Sequence, residues 1–334
     1  MSLAHLSFGV ICPGCQQASH GRPVEAASPC FEAASTCICR HLRDCDLSLE
    51  VRDIDGSLCL WARYGAIQAT RGVVEIVASA FSNLSSIPAA LDQLRKQARR
   101  NGAWRLQTSV VEDNEIQRVF KDSGFSVEGY KRDAYRIGVE YRNAALLGNA
   151  IAGPLPGPPP LVSDGEEYLV SADPVEIVPA HPAYAVAYME FDKAVRSETH
   201  NLVRTSSETP ASVSAYRRQL SDGCSWLAVA SGGRVAGAIT ALSPFGPFTH
   251  DDLAIWIAVR RAYWRRGIGR LLTDRLAEWA RANGIRRLTA ELLSANTGAL
   301  AFYKRNRFEV EAVRPLAARL SGAYCEELVM GRRL

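Results

Sequence analysis

The chain contains no apolar run approaching the roughly 18 residues that a membrane-spanning helix needs. It has little charge of one sign. Against 39 Lys and Arg stand 35 Asp and Glu, a net charge of +4, with the basic residues dispersed among acids. A nucleic-acid surface would require a concentrated basic stripe, so none is expected. A basic N-terminal segment is missing, and LSFGVI is too short for a secretory core, which makes the cytoplasm the expected location. Beyond residue 45 cysteine is scarce: six of the nine lie at Cys12, Cys15, Cys30, Cys37, Cys39 and Cys45, with His5, His20 and His41 among them. CPGC spaces two thiolates as in half of a zinc site. No second CxxC follows, only Cys37-x-Cys39 and single cysteines. That spacing favours reduced, unligated thiols, with zinc as the lesser alternative, and nothing signals the export that a disulfide framework accompanies.

What is present describes an ordinary globular protein. Hydrophobic residues make up 47% and charged residues 22% of 334, a length that favours two domains with a core each. The expected division is a Cys-rich segment over 1–46, a first domain over 47–148, a linker over 149–166 and a second domain over 167–334. The linker reads NAIAGPLPGPPPLVSDGE, and Pro158-Pro159-Pro160 favours a stiff polyproline II stretch.

One stretch of the second domain carries the chemistry. Leu253–Val259 is a continuous apolar run, β-branched at Ile255, Ile257 and Val259, and short enough for a buried strand. Ile268, Leu272, Leu276 and Trp279 then recur at helical spacing. Between them lies Arg265-Arg266-Gly267-Ile268-Gly269-Arg270. A glycine turn entering a helix leaves N–H groups directed outward, and arginine adds donors suited to phosphate, so the segment offers a seat for a pyrophosphate. A turn that merely caps the helix reads equally well on this stretch alone. A second strand, Arg287–Leu293, and a short helix carrying Asn296 and Tyr303 follow.

This array resembles the GCN5-related N-acetyltransferase (GNAT) superfamily: strand, Gly-x-Gly loop, long helix, strand, then Asn and, seven residues on, Tyr. The resemblance covers about the last half of the chain. It implies an α/β (α+β) fold with a mixed, largely antiparallel sheet flanked by helices. It further implies acetyl-CoA as donor and a primary amine, either a small molecule or a peptide N-terminus, as acceptor. Main-chain groups of Ile257, Ala258 and Val259 would hold the pantetheine arm and polarise the thioester. The segment Arg265, Arg266, Gly267, Ile268, Gly269 and Arg270 would hold the pyrophosphate. Asn296 would touch the cofactor arm, Tyr303 would serve the leaving thiolate, and Glu291, if buried, would act as base through water. His250 is the alternative base. The trio His250, Asp251 and Asp252 reads either as a solvated loop or as acids that attract a cationic amine. Trp264 and Arg307 depart from the usual pattern; with arginine in place of glycine, Asn306 is expected to take the left-handed cap.

The first domain reads as a degraded repeat of the second. Asp92, Leu94, Ala98, Arg99, Asn101 and Gly102 match Asp274, Leu276, Ala280, Arg281, Asn283 and Gly284 without a gap. Phe125, Val127, Glu128, Ala134, Arg136, Tyr141 and Gly148 match Phe308, Val310, Glu311, Ala317, Arg319, Tyr324 and Gly331. In this register Gly267 faces Ser85, Gly269 faces Ile87, Glu291 faces Ser109 and Tyr303 faces Phe120. Two tandem GNAT-like folds are therefore expected, packed together, with chemistry only in the second. The alternative is a non-catalytic acyl-CoA-binding or interaction protein built as a pseudo-dimer.

Overall fold

In the computed structural model, the described residues are 48–52, 58–64, 72–79, 84–112, 114–137, 139–152, 170–199, 212–222, 224–242, 251–320 and 322–334. The N-terminal cysteines, most of the linker and His250 lie outside them. The chain divides near Pro154 into two compact units.

The first unit contains β1 (Ser48–Arg52), β2 (Leu58–Tyr64), β3 (Val73–Ser79), α1 (Ile87–Arg100), β4 (Arg105–Val111), α2 (Glu115–Asp122), β5 (Ser126–Ile137) and β6 (Glu140–Ala150). Its strands lie in the order β1-β2-β3-β4-β6-β5, antiparallel except for β3 with β4. Helix α1 forms because Ile87, Ala90, Leu91, Leu94 and Ala98 fall on one face and are buried. Pro88 occupies its first turn, where a missing N–H costs nothing. Asn114 caps α2, its side chain accepting from the Gln117 N–H at 2.7 Å.

The second unit contains β7 (Val175–Pro179), α3 (Ala185–Glu198), α4 (Val213–Asp222), β8 (Cys224–Ala230), β9 (Arg234–Leu242), β10 (Asp252–Val259), α5 (Ile268–Ala282), β11 (Arg287–Leu293), α6 (Thr297–Arg305), β12 (Glu309–Leu320) and β13 (Ala323–Arg333). The order is β12-β13-β11-β10-β9-β8-β7, again with a single parallel pair, β10 with β11. A parallel pair requires a crossover, and α5 supplies it, burying Ile268, Leu272, Leu276, Ala277 and Ala280 against the sheet. Mixed, largely antiparallel strands flanked by helices are the architecture expected from the sequence.

The run β3-α1-β4-α2-β5-β6 has the same element order and pairings as β10-α5-β11-α6-β12-β13. Each run also encloses a buried ion pair. Arg105 Nη1 donates to Glu128 Oε1 at 2.7 Å, with side chains 1% and 7% exposed. Arg287 Nη1 donates to Glu311 Oε1 at 2.9 Å, with 2% and 3%. A Cβ on Gly148 would overlap the first pair and one on Gly331 the second. Removing one partner from such a pair leaves a stranded buried charge and costs about 3–5 kcal/mol.

Candidate functional site

A gap opens in the middle of the second unit's sheet. The register of β10 with β11 runs from Asp252↔Arg287 to Ile255↔Ala290 and goes no further. Beyond it β10 stays with β9 as far as Val259↔Gly237, while β11 stays with β13 as far as Leu293↔Glu327. Arg260 N–H donates to Ala236 C=O at 2.8 Å, which makes Val259↔Gly237 a non-hydrogen-bonded pair. By alternation the main-chain groups of Ile257 and Val259 face the gap, and those of Ala258 face Ala238 on β9. Ala258 therefore drops out of the expected main-chain cradle. The Val259 carbonyl is also engaged, accepting from Trp264 Nε1 at 2.7 Å. Ile257 N–H and C=O and Val259 N–H remain directed at the opening.

Above the gap the chain turns into α5. Arg265 (φ 59°) and Gly267 (φ 76°) are both left-handed, and Gly267 is the helix N-cap with no atom near enough to meet a Cβ. The first intrahelical bond is Leu271 N–H to Gly267 C=O at 3.0 Å. The N–H groups of Ile268, Gly269 and Arg270 consequently have no acceptor within the helix, a geometry suited to an anion.

Three expected roles change here. Arg266 turns away from this seat: Nη1 donates to Ser171 C=O and Nη2 to Asp173 C=O, both at 2.7 Å, with the guanidinium 5.5 Å from the Tyr263 ring centre. It fastens the turn to the segment before β7. Gly269 serves packing, since a Cβ there would lie 2.9 Å from the Phe302 ring of α6. Asp252 is neither solvated nor at an acceptor surface. It is 3% exposed, accepts from Thr289 Oγ1 at 2.8 and 2.9 Å, and lies 3.6 Å from Arg287 Nε. Its place at the start of β10 is the end away from the gap. Of the basic residues at the turn, Arg265 and Arg270 are exposed, and Arg270 lies 3.5 Å from Asp274.

Tyr303 is buried on α6, edge-on to Phe308 at 5.1 Å between ring centres. Burial raises its phenol pKa well above the ordinary value. Asn296 caps α6, its Oδ1 accepting from Ala299 N–H at 3.0 Å, so its amide NH2 is the end available to a ligand. Glu291 lies on β11 beside the gap. Its side chain is 44% exposed and paired with Arg314 at 2.9 Å, which also reaches Glu327 at 3.1 Å. The burial expected of a tuned base is absent. Arg307, at φ 66°, adopts the left-handed cap, and Asn306, expected to do so, has φ −92°.

Sequence reasoning missed two supports. Glu198, at the end of α3, accepts from Arg260 Nε and Arg261 N–H, both at 2.7 Å, fixing the exit of β10. The other support is buried: Asp192 accepts from Tyr216 O–H at 2.8 Å and from Arg196 at 2.9 and 3.1 Å. The i,i+4 spacing of Asp192 and Arg196 was its one visible signal. Among the described residues no group of three His, Cys, Asp or Glu could hold a metal ion, and no helix is long and apolar enough to cross a membrane.

Residues 194–308 match the family model described as Acetyltransferase (GNAT) family. No curated relative matches the chain. Similar solved structures include the acetyltransferase of GNAT family from Streptococcus pneumoniae, at 23% identity and TM-score 0.46, covering 48% of this chain and 100% of that one. A ribosomal-protein-alanine N-acetyltransferase from Brucella melitensis has 22% identity and TM-score 0.43, covering 48% and 99%. A GNAT superfamily phosphinothricin acetyltransferase from Sinorhizobium meliloti, in complex with AcCoA, has 21% identity and TM-score 0.42, covering 48% and 88%.

Proposed function

We propose, on the premise that residues 194–308 are a GNAT acetyltransferase domain and the chain an acyltransferase, that the second unit transfers acetyl from acetyl-CoA to a primary amine by direct attack. The observation that carries this reading is the coincidence of the gap beside β10 with the N-terminus of α5. One offers main-chain donors to an amide-bearing arm, the other offers three N–H groups to a pyrophosphate. Arg265 and Arg270 are the cations placed to add to that seat. Ile257 N–H is the donor for the thioester oxygen. A fixed donor of this kind contributes about 3–4 kcal/mol as negative charge develops. Binding at the pyrophosphate end holds the thioester in place beside the amine.

An alkyl ammonium titrates near ~10, so it must lose a proton before its nitrogen attacks the carbonyl carbon. Glu291 accepts that proton through water, which reaches its side chain because that side chain is 44% exposed. The attacking nitrogen gives its second proton to solvent as the carbon–sulfur bond breaks, leaving the neutral amide and the departing thiolate. An ordinary phenol is a weaker acid than a thiol by about 2 kcal/mol, and burial of Tyr303 widens that difference. Tyr303 thus acts as a hydrogen-bond donor to the leaving sulfur, and the thiolate takes its final proton from solvent. Asn296 contributes its NH2 group to the cofactor arm.

The first unit is the scaffold in this proposal. Ile87 stands where the second unit has Gly269, and Phe120 where it has Tyr303. The test is thiol release from acetyl-CoA across a panel of small amines and peptides with free N-termini. At least one amine should give release above hydrolysis. Tight acetyl-CoA binding without release for any amine would replace this reading with a non-catalytic acyl-CoA-binding protein.

A further inference from the structure

The second unit holds a cavity of about 250 Å³ whose lining, apart from Arg270, has no part in the transfer chemistry above. It is lined by Arg270 and Asp274 on α5, by Arg305, Asn306 and Arg307 where α6 ends, and by Arg332 near the end of β13. Four arginines and one carboxylate are among its lining residues. Asp274 lies 3.5 Å from Arg270. Among the described residues no carboxylate is within ion-pairing distance of Arg305, Arg307 or Arg332. Arg270, Arg305 and Arg307 are exposed, so the site presents an excess of positive charge to solvent, where an anion can reach it.

Two further features single this place out. Arg307 adopts a left-handed backbone (φ 66°) at a helix-ending position that glycine takes without strain. Strain of this kind persists where something over-determines it, and here it delivers a guanidinium to the cavity. Arg332 is only 8% exposed. Burial, then the nearby charge of Arg281, disfavour its charged form; Asp274 favours it, and Arg307 disfavours it again. A buried arginine stays protonated nonetheless, and in this cavity Asp274 is the one carboxylate set against it, Arg281 and Arg307.

We propose that this cavity binds a phosphate monoester dianion. Bidentate guanidinium recognition matches three peripheral oxygens and two negative charges, and the volume admits one phosphate with its bridging waters. Two sources carry that group: the ribose 3′-phosphate of coenzyme A, since Arg270 belongs to the first turn of α5, or a separate phosphorylated molecule. The inference does not depend on catalysis.

The experiment titrates inorganic phosphate into the full chain by calorimetry, in chloride buffer, for the native protein and for Arg307→Gly and Arg332→Gln. Arg307→Gly relieves the left-handed strain, so its fold is safe. Each variant should bind phosphate about tenfold more weakly. No phosphate binding by the native protein, or equal binding by both variants, overturns the proposal. Two ligands then identify the source. Displacement of phosphate by acetyl-CoA but not by acetyl-3′-dephospho-CoA assigns the cavity to the cofactor's own phosphate. Phosphate retained alongside acetyl-CoA assigns it to a separate ligand. Acetyl-CoA binding without any phosphate response defeats this inference alone, whereas phosphate binding without acetyl-CoA binding defeats the proposed function alone.

Discussion

A single phenol is asked to do the least that chemistry permits. Tyr303 sits among Phe302, Phe308 and the core of its unit, and burial holds its proton tightly. Its folded pKa lies above the ordinary ~10, so the neutral form is complete at every pH below that value. Tyr303→Phe should therefore lower kcat by about 10- to 100-fold while changing acetyl-CoA affinity little, and the kcat profile should show no basic limb from this group below about pH 10. A variant that loses affinity but keeps its rate would refute the role. At this scale the sequence told residue types and little of their direction. The Asn–Tyr spacing was readable, but Arg266 was not, because its partners Ser171 and Asp173 lie more than 90 residues earlier. Asp252 was misread for the same reason: Thr289 and Arg287 come together with it only through strand pairing. Whether Glu291 would be buried or face solvent was open in the sequence, because its partner Arg314 lies on another strand.

Helices and strands were far more legible, because their signals are local periods. The β10 run, the amphipathic α5 and the Gly267 turn follow from apolar spacing and a left-handed position that suits glycine. The gap beyond Ile255↔Ala290 had no local signature, since separation of two strands depends on what each pairs with next. Packing between α5 and α6 was likewise hidden. Gly269 accommodates the Phe302 ring, while the first unit's counterparts are Ile87, buried, and Val119. Size lost on one helix is recovered on the other. Gly269→Ala should gain about 1 kcal/mol of helix propensity yet lose about 1–3 kcal/mol to overlap with the ring. A chemical-denaturation series should thus show net destabilisation in the native background and a reversed sign when Phe302→Leu is also present. Equal effects in both backgrounds would remove Gly269 from the helix contact.

Across the whole chain the same six-element run occurs twice, each time with an arginine–glutamate pair buried beneath a glycine. Matched helices and hairpins made that repetition visible in the sequence, since core periodicity outlasts site residues. In the proposed reading, the two units differ in function through the approach to the helix: glycines at 267 and 269 in one, Ser85 and Ile87 in the other. Amide hydrogen exchange of the full chain, with and without acetyl-CoA, tests this contrast most directly. The account predicts slowed exchange at Ile257, Ile268, Gly269 and Arg270, with Ile87, Ala89 and Ala90 unchanged. Bound acetyl-CoA that leaves the first set untouched, or that protects the second set instead, would contradict it.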